Sequence, residues 1–222
     1  MELTASTGDR ALQRYSRTAM ALHWIIAALI GVNITLVYLV DHLPDDYVRP
    51  VIDTHKSIGI TVLGLAALRV LWRYGHRPPA FPLSYRPWER ASARLVHGAL
   101  YFLLFAIPLS GWMHDSAFKD AALYPMRLYG LAPWPRIGLI AGVEPEQKEF
   151  LHNLFGAVHR WSGYALYGCF FLHVAGALKH QFWDREPELQ RIVPWGDGRH
   201  HESDEMAAQR RRWRFGNASR TD

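Results

Sequence analysis

One stretch organises the sequence: His159-Arg-Trp-Ser-Gly-Tyr-Ala-Leu-Tyr-Gly-Cys-Phe-Phe-Leu-His173. Its two histidines are 14 residues apart. In an α-helix, residues at that spacing lie on nearly the same face, about 21 Å apart along the axis. The hydrocarbon core of a bilayer is about 30 Å thick. A helix that spans the membrane over this stretch would therefore hold one imidazole near each membrane surface.

The apolar residues are grouped into blocks of membrane-spanning length. The chain has 222 residues, of which 50% are hydrophobic, and three stretches contain no Asp, Glu, Lys or Arg: residues 18–40, 95–114 and 161–178. Because a spanning helix needs about 20 mostly apolar residues, each of them qualifies. A fourth block, residues 57–72, is interrupted only by Arg69. These blocks predict four spanning helices rather than a soluble domain.

The charges of the connecting segments predict how these helices are oriented. Lys and Arg are retained on the cytoplasmic side of a membrane, whereas Asp and Glu have little influence. Alternate segments carry 17 and 5 basic residues; the larger number lies in residues 1–17, 73–94 and 179–222, and the smaller in residues 41–54 and 115–149. Both termini are therefore expected in the cytoplasm. The same count supports the block around Arg69, because without it the arginine-rich and the acidic segments would share one side.

The expected fold is all-α: a transmembrane four-helix bundle over residues 18–182, between a cytoplasmic segment, residues 1–17, and a partly disordered cytoplasmic tail, residues 183–222. The first block is expected to remain as a membrane anchor. Residues 115–149 are long for a connection in a small bundle, and their aromatic residues predict that they lie in the membrane interface. The single cysteine, Cys169, excludes an internal disulfide and covalent c-type haem. The basic residues behind the net charge of +5 lie mainly in the segments beside the spans. This position indicates membrane lipid, and not nucleic acid, as the partner.

Four histidines pair by depth within the expected bundle. The first helix enters from the cytoplasm, so His23, near its start, lies at the depth of His173, near the end of the fourth. The second helix runs the other way, which puts His55 level with His159. Ionisable residues inside a membrane are costly and usually mark a functional site. Facing neutral imidazoles suit the two axial positions of a haem iron, so two pairs predict two haems b stacked across the membrane.

Charged residues near these histidines predict contacts with anions. Arg69 follows His55 by the same 14 residues and so faces the interior at the level of the cytoplasmic pair, where a haem propionate would neutralise it. Lys56 and Arg160 directly follow the two outer histidines. We expect them either to hold the outer propionates or to attract a small anion, which makes them the candidate catalytic residues.

Three alternatives stay open on the residues alone. His97, at the cytoplasmic end of the third helix, lies near the depth of His23 and His173 and is an alternative inner ligand. A histidine-rich metal transporter is a rival function, but transport sites usually add carboxylates near the midplane, and the four spans contain no Asp or Glu. Interhelical hydrogen bonds would make the histidines structural and the protein a membrane anchor.

Several stretches in order resemble the bacterial cytochrome b561 family. They are Arg14-Tyr-Ser-Arg-Thr-Ala-Met-Ala-Leu-His-Trp24, His55-Lys-Ser-Ile-Gly59, Leu68-Arg-Val-Leu-Trp-Arg73, Val96-His-Gly-Ala-Leu-Tyr101, Ile107-Pro-Leu-Ser-Gly111, the stretch from His159 to His173, Leu178-Lys-His-Gln-Phe-Trp183 and Leu189-Gln-Arg-Ile-Val-Pro194. The resemblance implies a four-helix inner-membrane protein with two noncovalent haems b. It implies His23 with His173 as ligands of the cytoplasmic haem and His55 with His159 as ligands of the periplasmic one. His97 then becomes a neighbour of the haem or a propionate contact.

The resemblance also implies a function. Family members move single electrons between the periplasmic face and ubiquinone, and one branch oxidises superoxide there while it reduces the quinone. Lys179 and His180 resemble the quinone region of that branch. The expectation is a superoxide:ubiquinone oxidoreductase of the bacterial inner membrane. The alternative is a cytochrome b subunit that relays quinol electrons to a dehydrogenase or another periplasmic redox partner, with residues 115–149 as its docking surface.

Overall fold

The fold is mostly helical, as the blocks predict. A computed structural model describes residues 13–82 and 84–194. In chain order the elements are helix α1 (Arg17–Val40), helix α2 (Asp45–Gly75), helix α3 (Pro87–Ser116), strands β1 (Arg127–Leu128) and β2 (Ala132–Pro133), the single-turn helix α4 (Gly138–Ala141), helix α5 (Pro145–Leu178), a π-helical turn (Lys179–Trp183) and the short helix α6 (Glu188–Ile192). The two strands pair antiparallel. The four long helices extend beyond the uncharged blocks and position the histidines.

The long helices begin at residues that favour a helix start. At α1, the Ser16 hydroxyl accepts a hydrogen bond from the main-chain N–H of Ala19 (3.3 Å). Proline occupies the first position of α3 and of α5, where its missing N–H costs no hydrogen bond. At α3, the Glu89 carboxylate also accepts from the main-chain N–H of Arg86 (2.8 Å). These caps let α3 and α5 begin several residues before their apolar blocks.

Among the described residues, three helices are long and apolar enough to cross a membrane: α1, α2 and α3. The block interrupted by Arg69 therefore qualifies as part of α2. Helix α5 has 34 residues but does not reach this apolarity, although residues 161–178 carry no charge. The helix contains histidines, tyrosines and glycines, which are less apolar than aliphatic residues. The absence of charge therefore predicts a higher apolarity than the stretch has. The fourth span stays a prediction.

The long helices pack in chain order, α1 against α2, α2 against α3, and α3 against α5. A small buried cluster of Ile26, Ile58 and Val62 joins α1 to α2. Many large apolar side chains face outward instead; Leu71 and Leu95, for example, are 67% and 75% exposed. A large exposed apolar surface is unusual for a soluble protein. It is the surface expected of helices that lie in lipid.

At one end of the bundle, called the outer end below, residues 115–149 fold onto α2 and α3. The Arg136 side chain donates to the Asp115 carboxylate (3.0 Å) and to two main-chain oxygens of the intervening chain (both 2.7 Å). On α2, the buried Ser57 hydroxyl accepts from the main-chain N–H of Tyr129 (2.9 Å). The segment is therefore a built cap with two anchor points, and its place in the membrane interface stays a prediction.

At the opposite end of the bundle, called the inner end below, α6 binds the segments that precede α1 and α3. The contacts of Arg191 that do so are called the clasp. The Arg191 side chain donates to the main-chain oxygens of Gln13 (3.1 Å) and Ala80 (2.6 Å) and pairs with Glu188 (2.9 Å). Arg191 is only 7% exposed. Residues 183–194 of the expected tail thus pack on the bundle. The rest of the predicted terminal segments lies outside the described residues: residues 1–12 and 195–222.

Replacing Arg191 with alanine should loosen this clasp. The Gln13 and Ala80 oxygens would lose their donor and Glu188 its partner, at a cost of roughly 2 kcal/mol. We expect Arg191→Ala in detergent to unfold at a lower temperature than the wild type. Arg94→Ala is the control, because Arg94 is exposed on α3 and bonds only the Arg90 main-chain oxygen there. Equal unfolding midpoints for the two variants would contradict a stabilising role for the clasp.

Candidate haem sites

His55 on α2 and His159 on α5 face each other at the outer site. Their ring centroids are 6.0 Å apart, and the ring planes are nearly perpendicular, at 82°. Two metal–nitrogen bonds of about 2 Å with one imidazole ring at each end span roughly 6 Å. The separation therefore suits one metal ion between the two imidazoles.

Helix α3 orients His159. The main-chain oxygen of Ile107 on α3 accepts a hydrogen bond from Nδ1 of His159 (2.8 Å). A ligating histidine is usually held through its second nitrogen in this way, which leaves Nε2 for the metal. Gly111 permits the close approach of the ring, because an added Cβ would lie 3.1 Å from it. Residues 107–111 therefore build one wall of the outer site.

His55 has a ring nitrogen that the protein does not use. Its Nδ1 atom is buried and has no hydrogen-bond partner among the described residues, and the same holds for the side-chain oxygen of Asn33 on α1. Buried polar atoms without a partner are rare in native proteins. The main chain of Asn33 lies beside the His55 ring. Asn33 is not ionisable and so did not stand out in the sequence. An amide within an apolar helix nevertheless indicates a polar contact between helices.

Three histidines meet at the inner site. The rings of His23 on α1 and His173 on α5 have centroids 6.2 Å apart and planes at 70°, much like the outer pair. His97 on α3 lies nearer to His173, at 5.1 Å. Only the first of these separations reaches the length needed for a metal–nitrogen bond to each ring.

Glycines lie close to three of the paired histidines, at positions 59, 163 and 176. A Cβ added at any of them would meet no atom within 4 Å. Small residues in membrane helices often serve close helix packing, which would put a neighbour within that distance. Close helix packing therefore does not occur at these three glycines, and the space beside them is open.

Arg69 lies between α1 and α3 near the inner site. Its guanidinium donates to the main-chain oxygen of Ala19 and to the Tyr101 hydroxyl (both 3.1 Å). Within the described ranges no carboxylate forms an ion pair with it. Its charge therefore remains available to an anion such as a haem propionate.

The two residues predicted to meet anions at the outer end differ in their surroundings. The Lys56 amine donates to the buried Asp115 carboxylate (2.6 Å) and lies 3.6 Å from Asp53. Two carboxylates therefore neutralise Lys56 and tie α2 to α3. Arg160 is exposed, and the described part of the chain provides it no carboxylate. Arg160 is the stronger candidate for attracting an anion.

Lys179 and His180 are held by carboxylates at the inner end. The Lys179 amine donates to Glu89 (2.5 Å) and Asp184 (2.7 Å), and Nδ1 of His180 donates to the same Asp184 oxygen (2.6 Å). These bonds raise the pKa of Lys179, with that to Asp184 contributing most, and the bond from Lys179 lowers the pKa of Asp184. The ion pairs are therefore formed at neutral pH. The Tyr85 ring stacks on His180 at 3.9 Å.

A cavity of about 480 Å³ opens beside this network. Two tryptophans, Lys179 and Asp184 contribute to its lining. The rest of the lining is mostly polar or charged and includes Ser84, Arg86 and Glu186, so Tyr85 and the two tryptophans supply its apolar surface. The sequence pointed to Lys179 and His180. It did not show that Tyr85, Trp88 and Glu89, from the first turn of α3 and the residues just before it, lie beside them in the fold.

The family model for prokaryotic cytochrome b561 matches residues 14–195. The chain belongs to this family. It is 32% identical to cytochrome b561 homolog 2 of Escherichia coli (strain K12) over 185 residues, which cover 82% of this chain and 92% of the relative. It is 23% identical to cytochrome b561 homolog 1 of the same organism over 188 residues (82% and 98%). It is 26% identical to the probable superoxide oxidase CybB of Yersinia pestis over 183 residues (82% and 97%).

Membership in the cytochrome b561 family confirms the resemblance and the coarse function. The family binds haem b and transfers electrons across bacterial membranes. The facing imidazoles fit this cofactor, because bis-histidine sites between helices are a common way to hold haem. The open space beside the three glycines leaves room for it as well.

Alanine at position 111 should disturb the outer site. The new methyl group would press on the His159 ring, which the bond to Ile107 holds in place. We expect Gly111→Ala to bind less haem than the wild type, measured as haem absorbance per purified protein. Gly31→Ala on α1 is the control, since Gly31 is exposed and a Cβ there would meet no atom within 4 Å. Wild-type haem content and reduction potentials in Gly111→Ala would show that the close approach does not matter.

Proposed function

We propose that the chain carries electrons across the membrane through two haems b, an outer one held by His55 and His159 and an inner one held by His23 and His173. The observation that carries this proposal is the near-equal separation of the two ring pairs, 6.0 Å and 6.2 Å. The haems, when bound, supply one-electron redox chemistry. The chain supplies their ligands, and Arg69 neutralises a propionate of the inner haem.

Four spanning helices with both termini in the cytoplasm complete the proposal. Helix α5 is the fourth span, because its 34 residues cover about 50 Å, more than the hydrocarbon core requires. The 17 basic residues of the alternate segments favour the cytoplasm for the inner end. The protein is then a multi-pass protein of the bacterial inner membrane, with residues 18–182 as its haem domain and residues 1–17 and 183–222 in the cytoplasm.

The proposed reaction joins superoxide oxidation at the outer end to ubiquinone reduction at the inner end. Two superoxide ions each give up one electron and leave as dioxygen, and one quinone takes up both electrons and two protons to become quinol. The relative described as a probable superoxide oxidase supports this choice. Arg160, exposed and next to His159, attracts the anion. Lys56 contributes less, because Asp115 neutralises it.

Ubiquinone is proposed to bind in the cavity beside Lys179 and His180. Its volume of about 480 Å³ accommodates a substituted quinone ring. A lysine amine has three N–H donors, of which Glu89 and Asp184 take two. The third donor of Lys179 is left for a quinone oxygen. His180 does not line the cavity but lies behind it, where it donates to Asp184, one of the lining residues.

A second candidate is a cytochrome b subunit that relays quinol electrons to a dehydrogenase or another periplasmic partner. The folded cap at the outer end favours it, because the cap exposes large apolar side chains. Leu123, Leu131 and Leu139 are 74%, 80% and 90% exposed. Such residues serve either a partner or the lipid interface. Co-purification of a redox protein, lost when residues 123–139 are shortened, would favour this candidate over the enzyme.

The ligand assignment is tested by removing single histidines. His159→Ala should lose one haem, since the outer iron would keep only His55 as an axial ligand. His97→Ala should keep both haems, because His97 is too close to His173 to share a metal with it. A pyridine-haemochrome assay on each purified variant measures the haem content. Loss of one full haem from His97→Ala would overturn the inner pairing.

The superoxide reaction is tested at Arg160. Arg160→Gln should slow superoxide-driven quinone reduction about tenfold at low salt, because it removes the charge that attracts the anion. The difference should shrink as salt is added. Lys119→Gln is the matched control, an exposed basic residue of the outer cap. Equal rates for the two variants would contradict anion attraction by Arg160, and no quinone reduction by the wild type would favour the second candidate.

A further inference from the structure

A second charged cavity lies at the inner end, between α1, α2 and α3. Three arginines line it: Arg69 and Arg73, one turn apart on α2, and Arg77, two residues after the helix ends. Its volume is about 50 Å³, and one water needs about 10–15 Å³ of such space. The cavity thus has room for roughly four small atoms, far fewer than a haem or a quinone ring requires.

Hydrogen-bond donors point to an anion as the occupant of this cavity. No carboxylate is among its lining residues. The Ser16 hydroxyl already accepts from Nε1 of Trp72 (2.9 Å) and from the main-chain N–H of Ala19 (3.3 Å), so its own proton is free to donate. The Tyr101 hydroxyl accepts from Arg69 (3.1 Å) and likewise keeps its proton. Both hydroxyls line the cavity together with the guanidinium groups.

Arg73, in the last turn of α2, and Arg77, just beyond it, have no charged partner in the described structure. Arg73 lies over the Tyr101 ring at 5.7 Å, and both Arg73 and Arg77 are exposed. An arginine fork matches the geometry of a phosphate group. Beside them, His76 stacks on Trp72 at 3.9 Å, with ring planes 4° apart, and forms a flat wall. A tetrahedral oxyanion fits this set of donors in both size and charge.

We propose that this cavity binds the phosphate of an anionic phospholipid, with Arg73 and Arg77 as its principal ligands. The choice of a lipid, and not free phosphate, as the source of this group rests on the proposed orientation. In that orientation, α2 leaves the membrane at the cytoplasmic surface beside the cavity. Anionic headgroups lie at that surface and attract basic residues. Trp72 and Tyr101 are the aromatic residues expected at headgroup level. Arg69, deeper in α2, remains with the inner haem.

Lipid retention by the haem-loaded full-length protein tests the proposal. The protein is purified, mixed with equal amounts of phosphatidylglycerol and phosphatidylcholine, and examined by native mass spectrometry. We expect the wild type to retain one phosphatidylglycerol per chain and Arg73→Gln or Arg77→Gln to retain about tenfold less. Arg94→Gln, which removes an exposed arginine of α3, should behave like the wild type. Equal retention of the two lipids, or equal retention by all variants, would overturn the proposal.

Two further measurements identify the phosphate source and the role of the arginines. Inorganic phosphate at the lipid concentration should leave the bound phosphatidylglycerol in place; its displacement would assign the cavity to free phosphate and overturn the lipid assignment. The haem content of Arg73→Gln and Arg77→Gln should equal that of the wild type. Loss of a haem would mean that these arginines hold a propionate, which also overturns the proposal. A wild type without haem would instead refute the proposed electron transfer, whatever lipid it retains.

Discussion

Histidines that face each other between helices are the constraint on which this structure depends. An ionisable side chain inside an apolar bundle is costly unless it finds a partner. Each of the two pairs takes one histidine from α5 and the other from α1 or α2. The 14-residue interval on α5 therefore sets the distance between the two sites and the heights at which α1 and α2 must present their own histidines.

The rest of the chain holds these helices in register. At the outer end, the Ile107 oxygen bonds His159 and Gly111 leaves room for its ring, while the bonds of Arg136 and Ser57 attach the cap to α3 and α2. At the inner end, Arg191 of α6 ties Gln13, before α1, to Ala80, in the connection before α3. The ends of the bundle are built by polar contacts, whereas its sides expose apolar residues. This division is the one that a protein surrounded by lipid requires.

The helical fold and the histidine pairs were predictable, because both follow from periodicity along the chain. A block without charges and an interval of 14 residues are local properties that need no knowledge of packing. The partner of Lys56 was not predictable, since Asp115 lies 59 residues away on another helix. The setting of His180, between Tyr85 and Asp184, likewise depends on contacts that only the folded chain makes. The apolarity of α5 is lower than its uncharged stretch predicts, because polar and small side chains without charge also lower hydropathy.

Both histidine pairs have nearly perpendicular ring planes, at 82° and 70°, which gives the account a spectroscopic signature. Two crossed imidazoles on one ferric iron produce a strongly anisotropic low-spin signal. Electron paramagnetic resonance of the oxidised wild-type protein, with the haem content determined on the same sample, is the most direct test. The account predicts two haems per chain, both low-spin and strongly anisotropic. A single haem, or a high-spin iron with an open axial position, would contradict it.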